Sequence, residues 1–124
     1  MERKVIKSVN DLEVYALAYS LALEVHDLTK RFPKEELYSM TDQIRRSSRS
    51  VPANISEGFA KKQYGNVFKQ HLITAMGSAE ETKTWIDLAK DFSYITSEQM
   101  ITLKGNYTKV GAMLYRLIQN WHPI

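Results

Sequence analysis

Apolar residues recur at helical spacing along most of the chain, and three breaks divide the pattern into four segments. The last segment is the most regular, because its apolar residues alternate in steps of three and four over three heptads. Such a repeat is typical of the seam of an antiparallel helical bundle. The seam comprises Met100, Leu103, Tyr107, Val110, Leu114, Leu117 and Trp121.

Local signals place the first helix at about residues 11–31 and the second at about 34–62. Asn10 or Asp11 suits the N-cap of the first helix. Phe32 ends this helix, because the residue before a proline is pushed out of helical conformation. Pro33 and the acids that follow it favour the first turn of the second helix.

The third helix is predicted at about residues 66–92, after a turn at residues 63–65 and with Asn66 as its cap. The fourth, at about 97–121, has the clearest start, because Thr96 and Gln99 have the spacing of a capping box. The sequence therefore predicts an all-α fold, an antiparallel up-down-up-down four-helix bundle formed by one domain over residues 1–124.

The second helix has one apolar stripe at helical spacing, which we assign to the core. Pro52 removes one backbone hydrogen bond but leaves the period unshifted, so we expect one bent helix. The stripe consists of Leu37, Met40, Ile44, Ser48, Val51, Ile55 and Phe59.

The first helix has a second apolar stripe and leaves only a narrow polar strip, whereas a surface helix normally exposes about half its circumference. The second helix has small residues opposite its core face, where another helix could approach. We therefore expect a homo-oligomer; the alternative is a monomer that exposes some tyrosine, alanine and serine. The predicted subunit interface comprises Leu12, Tyr15, Tyr19, Leu23, His26, Ala53 and Glu57.

The composition, with 124 residues of which 44% are hydrophobic, is that of one packed domain. The chain has no cysteine, which excludes disulfides and thiolate metal sites and fits a cytoplasmic protein. No segment approaches the length of a membrane span or a signal peptide. We therefore expect a cytoplasmic protein without membrane contact.

Positive charge is concentrated in one segment, although the net charge is only +3. Residues 30–69 contain nine Lys or Arg and four acids, a net charge of +5. Such a cluster favours contact with the phosphates of RNA or DNA. An equally good alternative is that Arg46 and Glu57, on one side of the second helix, form salt bridges across a subunit interface. The candidate nucleic-acid-binding residues are Lys30, Arg31, Lys34, Arg45, Arg46, Arg49, Lys61 and Lys62.

The constellations that ordinary catalysis requires are missing from the sequence. The three histidines lie in three separate segments without metal-ligand spacing, and the adjacent Glu80 and Glu81 point in different directions on a helix. We therefore expect no enzyme, no catalytic residues, no metal, no cofactor and no small-molecule substrate. A cavity lined by Asn54, Glu57 and Arg46 is the best remaining place for a catalytic site.

Four runs of the sequence form a distinctive pattern: Asp11-Leu12-Glu13-Val14-Tyr15, Phe32-Pro33-Lys34-Glu35-Glu36, Gln43-Ile44-Arg45-Arg46-Ser47 and Val51-Pro52-Ala53-Asn54-Ile55-Ser56-Glu57-Gly58-Phe59. These runs resemble the bacterial four-helix-bundle family encoded by intervening sequences within 23S rRNA genes. The resemblance covers nearly the whole chain and implies an up-down-up-down bundle, a ring-forming homopentamer and no enzymatic activity. A similar fold serves as the accessory protein of diversity-generating retroelements, where a basic oligomer associates with reverse transcriptase and nucleic acid.

Two hypotheses follow. In the first, an oligomer contacts the RNA or DNA backbone through its arginines without reading the base sequence, so that binding depends strongly on salt. In the alternative, a ring-shaped homo-oligomer is a protein-interaction scaffold that does not bind nucleic acid, and the arginines are buried between its subunits.

Overall fold

All regular structure in residues 5–121, the part of the chain that this computed structural model describes, is helical. The four α-helices are α1 (Glu13–Thr29), α2 (Met40–Ala60), α3 (Gly65–Asp91) and α4 (Ser97–Asn120). Short 3-10 turns at Val9–Asp11 and Lys34–Glu36 precede α1 and α2. The predicted all-α class and four helices are confirmed for these residues. None of the four helices has an apolar stretch sufficient to cross a bilayer.

The predicted start of the second helix at residue 34 is wrong. The 3-10 turn after Pro33 is not continued, because the backbone of Ser39 leaves the helical range (φ −127°, ψ −103°), and α2 begins at Met40. Leu37, which the pattern assigned to the core stripe, lies outside the helix and is 47% exposed. The other members of that stripe are buried.

The carboxylate of Glu36 explains where α2 begins. It accepts hydrogen bonds from the Ser39 hydroxyl and, at 3.4 Å, from the Met40 backbone N–H at the start of the helix. The Tyr94 hydroxyl, which precedes α4, donates to the same carboxylate at 2.7 Å. These bonds lower the pKa of Glu36, and the bond to Glu36 raises the pKa of Tyr94 to about 12. A contact between residues 58 positions apart thus helps to hold this carboxylate at the start of α2.

The start of α1 also differs from the prediction. Asp11 does not cap α1; its carboxylate accepts the backbone N–H groups of Lys7 (2.8 Å) and Ser8 (3.1 Å) and closes the preceding 3-10 turn. The helix begins two residues later, at Glu13. That turn places Leu12 in the core with only 7% of its surface exposed. Leu12, which the sequence analysis assigned to a subunit interface, therefore packs within the core of the single chain and leaves little surface for a second subunit.

Of the caps predicted for the other two helices, that of α3 is wrong and that of α4 is confirmed. Helix α3 begins at Gly65, so Asn66 lies within its first turn and is not its cap. The capping box of α4 is confirmed, because the Thr96 hydroxyl accepts the Gln99 backbone N–H at 3.0 Å. The Gln99 side chain in turn accepts the Thr96 backbone N–H at 2.9 Å.

The buried faces of the helices meet in one core. Its largest fully buried side chains are Tyr107, from the predicted seam of α4, and Phe68 of α3. Near one end, the Phe68 ring packs edge-on against Trp121, with ring centroids 4.7 Å apart. The fully buried side chains on the other helices include Leu21, Val25, Ile44, Val51 and Ile55.

Helices α2 and α3 come unusually close at Gly58. A Cβ atom added to Gly58 would lie 2.7 Å from the Cβ of His71 and 3.1 Å from Cδ1 of Phe68. The His71 atom is fixed to the backbone of α3, so the clash could be relieved only by moving the two helices apart. The glycine is therefore required for this helix spacing.

We expect Gly58→Ala to lower the free energy of unfolding by about 1–2 kcal/mol, because overpacking outweighs the gain in helix propensity. Gly105→Ala is the matched control, because a Cβ there meets no atom within 4 Å. That variant should gain about 0.5–1 kcal/mol. Chemical denaturation at one protein concentration measures both, and a Gly58→Ala protein as stable as the control would contradict the assigned contact.

Candidate nucleic-acid interface

Arg45 is turned towards α1, where it serves the fold. Its Nε donates to the Thr29 hydroxyl at 2.8 Å, and its Nη2 is 3.5 Å from the carbonyl oxygen of His26. The Thr29 hydroxyl itself donates to that carbonyl at 2.9 Å. A cation at the C-terminal end of a helix is favourable, since the last carbonyls have no partner within the helix. Arg45 therefore holds the end of α1 against α2.

Arg49, one turn further along α2, contacts the side chain of His26. Its Nη2 lies 3.2 Å from His26 Nδ1. Because a guanidinium can only donate, Nδ1 must accept, which places the proton of the neutral ring on Nε2. Partial burial lowers the pKa of His26 from its usual 6.5, and the charges of Arg45 and Arg49 lower it further. Lys30 acts in the same direction, whereas Asp27 opposes the shift.

Five of the eight candidate cations are exposed and have no carboxylate at ion-pair distance among the described residues 5–121. Lys30 differs from these five, because its ammonium group is 3.6 Å from the carboxylate of Asp27. The five cations are Arg31, Lys34, Arg46, Arg49 and Lys62.

Lys61 and Lys62 do not belong to the same cluster. Lys61 is 12 residues beyond Arg49, about 18 Å along α2 at 1.5 Å per residue. Its ammonium group pairs with Glu57 at 3.4 Å, and that of Lys62 lies 4.0 Å from the centroid of the Phe59 ring. The structure thus divides the predicted patch into an arginine cluster beside α1 and two partly engaged lysines at the far end.

An apolar surface adjoins the arginine cluster. Tyr19 and Leu23 of α1 are 52% and 60% exposed, and they border a groove of about 260 Å³ that Arg49 also lines. Tyr15 is half-buried, with its ring centroid 5.9 Å from that of Tyr19. Apart from Leu12, the predicted interface residues of α1 therefore lie at least partly on the surface.

The residues of the interface prediction on α2 are also accessible. Ala53 and Glu57 are exposed. Ser50, a small residue one turn before Ala53, faces α3 instead, because its hydroxyl is 2.8 Å from that of Ser78.

A line of polar side chains that the sequence reasoning missed joins α2 to α3. The buried hydroxyls of Ser47 and Thr82 are hydrogen-bonded at 2.9 Å. Nearer the Gly58 contact, His71 Nδ1 lies 3.2 Å from the side-chain oxygen of Asn54. The available signal was a stripe of small or polar residues at helical spacing beside the core face of α2: Ser47, Ser50, Asn54 and Gly58.

The proposed catalytic cavity is only partly assembled. Glu57 Oε2 is 3.9 Å from His71 Nδ1, so Asn54, Glu57 and His71 lie together. Arg46 is not among the residues that line the groove there. Within residues 5–121, no three His, Asp or Glu side chains are grouped as metal ligands would be. His122 lies outside the described residues.

Comparison with known proteins gives a family match and a similar solved structure. A family model described as "23S rRNA-intervening sequence protein" matches residues 10–116. The structure is similar to the crystal structure of a protein with unknown function from the S23 ribosomal protein family of Bacteroides thetaiotaomicron, with a TM-score of 0.78 and 29% sequence identity. That match covers 86% of this chain and 99% of the other. We found no match among the curated proteins.

We expect the folded protein to lose stability as the pH falls through about 6.5, the His pKa of an unfolded chain. The folded state holds His26 neutral, with a lowered pKa. Between the two pKa values the unfolded state therefore binds more protons, and the free energy of unfolding rises with pH.

Chemical denaturation between about pH 5 and pH 8, the range in which histidine titrates, measures this effect. His26→Gln is the matched variant, because it removes the titrating ring and keeps an acceptor for Arg49. The difference between the parent and this variant isolates His26 from the other histidines. A pH dependence that is the same in both proteins would contradict the assigned contact.

Proposed function

The chain belongs to the 23S rRNA-intervening sequence protein family, and from this premise we propose that it is a non-enzymatic, cytoplasmic homo-oligomer that binds the phosphate backbone of RNA or DNA. One observation carries the proposal. Arg46 and Arg49 are exposed, and neither has a carboxylate at ion-pair distance within residues 5–121. Cations without a carboxylate partner attract phosphates and release the counterions bound to them.

The arrangement supports contact with the backbone and does not favour base readout by the arginines. Arg46 and Arg49 are one turn apart on a helix that is packed into the bundle along its length. The exposed Arg31 and Lys34 extend the positive surface beyond the end of α1. Arginines that lie on a surface helix, without a shape that enters a groove, position a nucleic acid and do not specify its sequence.

The exposed apolar surface supports the proposal of self-association. Tyr19 and Leu23 present more than half of their surfaces to solvent, side by side on α1. Large contiguous apolar patches are uncommon on monomers and mark interaction sites. We propose that an up-down-up-down antiparallel bundle forms a ring of five copies through this surface; the number five rests on the family resemblance alone.

The protein-interaction scaffold remains a second candidate because of one observation. Arg46 and Glu57 are both exposed on the same side of α2, 11 residues apart. A helix turns about 100° per residue, so the two side chains point in nearly the same direction about 16 Å apart. In a scaffold without nucleic-acid affinity, arginines of one subunit would pair with acids of the next.

We expect the variant Arg46→Ala/Arg49→Ala to weaken binding of a fluorescent RNA duplex and of a single strand to a similar extent. Each lost phosphate contact should reduce the slope of log K against log salt by about one. The measurement is fluorescence anisotropy at several salt concentrations. Arg45 is left unchanged because it holds the end of α1.

The matched control is Lys109→Ala/Arg116→Ala, which removes two exposed cations from α4. If the control loses as much affinity as the arginine variant, binding reflects net charge and the proposed surface is wrong. If the parent binds neither nucleic acid, or the arginine variant falls apart into monomers, the scaffold is the better explanation.

We expect the parent to sediment at about five times the 14.3 kDa mass of one chain at micromolar concentration. Tyr19→Glu/Leu23→Glu should sediment as a monomer with unchanged helix content, because charge is not tolerated in a buried apolar contact. Ile101→Glu, at a 65% exposed position on α4, is the control and should keep the parent mass. A monomeric parent would defeat the proposed assembly.

A further inference from the structure

A second groove lies between the second half of α2 and the start of α3. It has a volume of about 340 Å³. It is on the side of α2 that faces α3, whereas Arg45 on the other side faces α1. Its walls contain neither Lys, Arg, Asp nor Glu, which distinguishes it from the arginine cluster. It is lined by Asn54, Asn66, Val67, Gln70, His71 and Thr74.

Hydrogen bonds fix the polar groups at the base of this groove. The Asn54 amide nitrogen donates to the Ser50 carbonyl at 2.9 Å and to its hydroxyl at 3.0 Å. The side-chain oxygen of Asn54 is therefore oriented towards His71 Nδ1, 3.2 Å away. Because that oxygen can only accept, Nδ1 is the donor in this bond. The Asn54 and His71 side chains that line the groove thus hold each other in a fixed orientation.

The rim supplies further hydrogen-bonding groups and an apolar wall. Asn66 and Gln70 are exposed and one turn apart on α3, and each carboxamide has both donors and an acceptor. Val67, between them in sequence, is 40% exposed. Tyr64, in the turn before α3, does not line the groove, but it is 62% exposed and only two residues before Asn66 in the chain. These groups suit a flat, uncharged ligand with donors and acceptors along its edge.

Nucleobases have this chemistry. Carboxamides of Asn and Gln pair with donor and acceptor groups on base edges, and aromatic side chains stack on base faces. The cations that could hold the adjoining phosphates lie on both sides. Arg46 precedes Asn54 by about 12 Å along the helix axis, and Lys61 follows it by about 10 Å.

We propose that this groove binds an unpaired nucleobase of single-stranded RNA or DNA, while the phosphates on either side contact the cations of α2. The inference rests on the proposed nucleic-acid binding and adds a preference for single strands. A base within a duplex has its edge paired and its faces stacked, so it cannot enter the groove. Single strands should therefore gain a contact that duplexes lack.

The first experiment separates the groove from the phosphate contacts by using nucleosides, which have no phosphate. Adenosine, cytidine, guanosine and uridine are titrated into the full chain while the ring signals of His71 are followed by NMR. We expect at least one nucleoside to shift these signals in the parent and in Arg46→Ala/Arg49→Ala, but not in Asn66→Ala/Gln70→Ala. If no nucleoside shifts the His71 signals of the parent, the proposal that the groove binds a nucleobase is wrong, whatever the arginines bind.

The second experiment compares a fluorescent single strand with a duplex of the same sequence. We expect Asn66→Ala/Gln70→Ala to weaken single-strand binding about tenfold and to leave duplex binding unchanged. Gln119→Ala/Asn120→Ala, which removes two exposed carboxamides at the end of α4, should bind as the parent does. If Asn66→Ala/Gln70→Ala loses the same affinity for the single strand and the duplex, or loses none, the proposed base-binding groove is wrong. If nucleosides shift the His71 signals but the parent binds neither nucleic acid, the proposed phosphate contacts are wrong and the groove is supported.

Discussion

The close approach of α2 and α3 at Gly58 is the constraint on which the candidate sites depend. With no side chain at Gly58, the backbone of α2 reaches the Cβ of His71. This proximity brings Asn54, one turn earlier on α2, within hydrogen-bonding distance of the His71 ring. A larger residue would separate the helices and remove both the groove and the fixed orientation of its polar groups.

Hydrogen bonds, more than apolar contacts, specify the register between these two helices. The hydroxyls of Ser47 and Thr82 are at most 4% exposed and bond to each other. A shift of one helix along the other would break this inter-helix bond and leave each hydroxyl only its bond to a carbonyl of its own helix, Ile44 for Ser47 and Ser78 for Thr82. Leucine and valine contacts, which have no direction, tolerate such a shift better. The hydrogen-bonded pairs are Ser47–Thr82 and Asn54–His71, so the residue numbers rise along α2 while those of the α3 partners fall.

Three arginines within little more than one turn of α2 have different environments because a helix turns about 100° per residue. Arg45 points towards α1 and bonds to Thr29. Arg49 lies at the edge of that contact, against His26, and Arg46 faces outward. Only Arg46 and Arg49 can therefore contact a partner without disturbing the packing of α1 against α2. The electrostatic cluster read from the sequence is thus divided between structural support and an accessible surface.

Helical periodicity and capping depend on neighbouring residues, so the sequence predicts the four helices, the core stripe of α2 apart from Leu37, and the capping box at Thr96. It does not show that Glu36, just before α2, also accepts a hydrogen bond from Tyr94. Nor could it show that Arg45 serves α1 or that Asn54 meets His71. These contacts join residues far apart in the chain, so only the packing of the helices decided which polar groups meet.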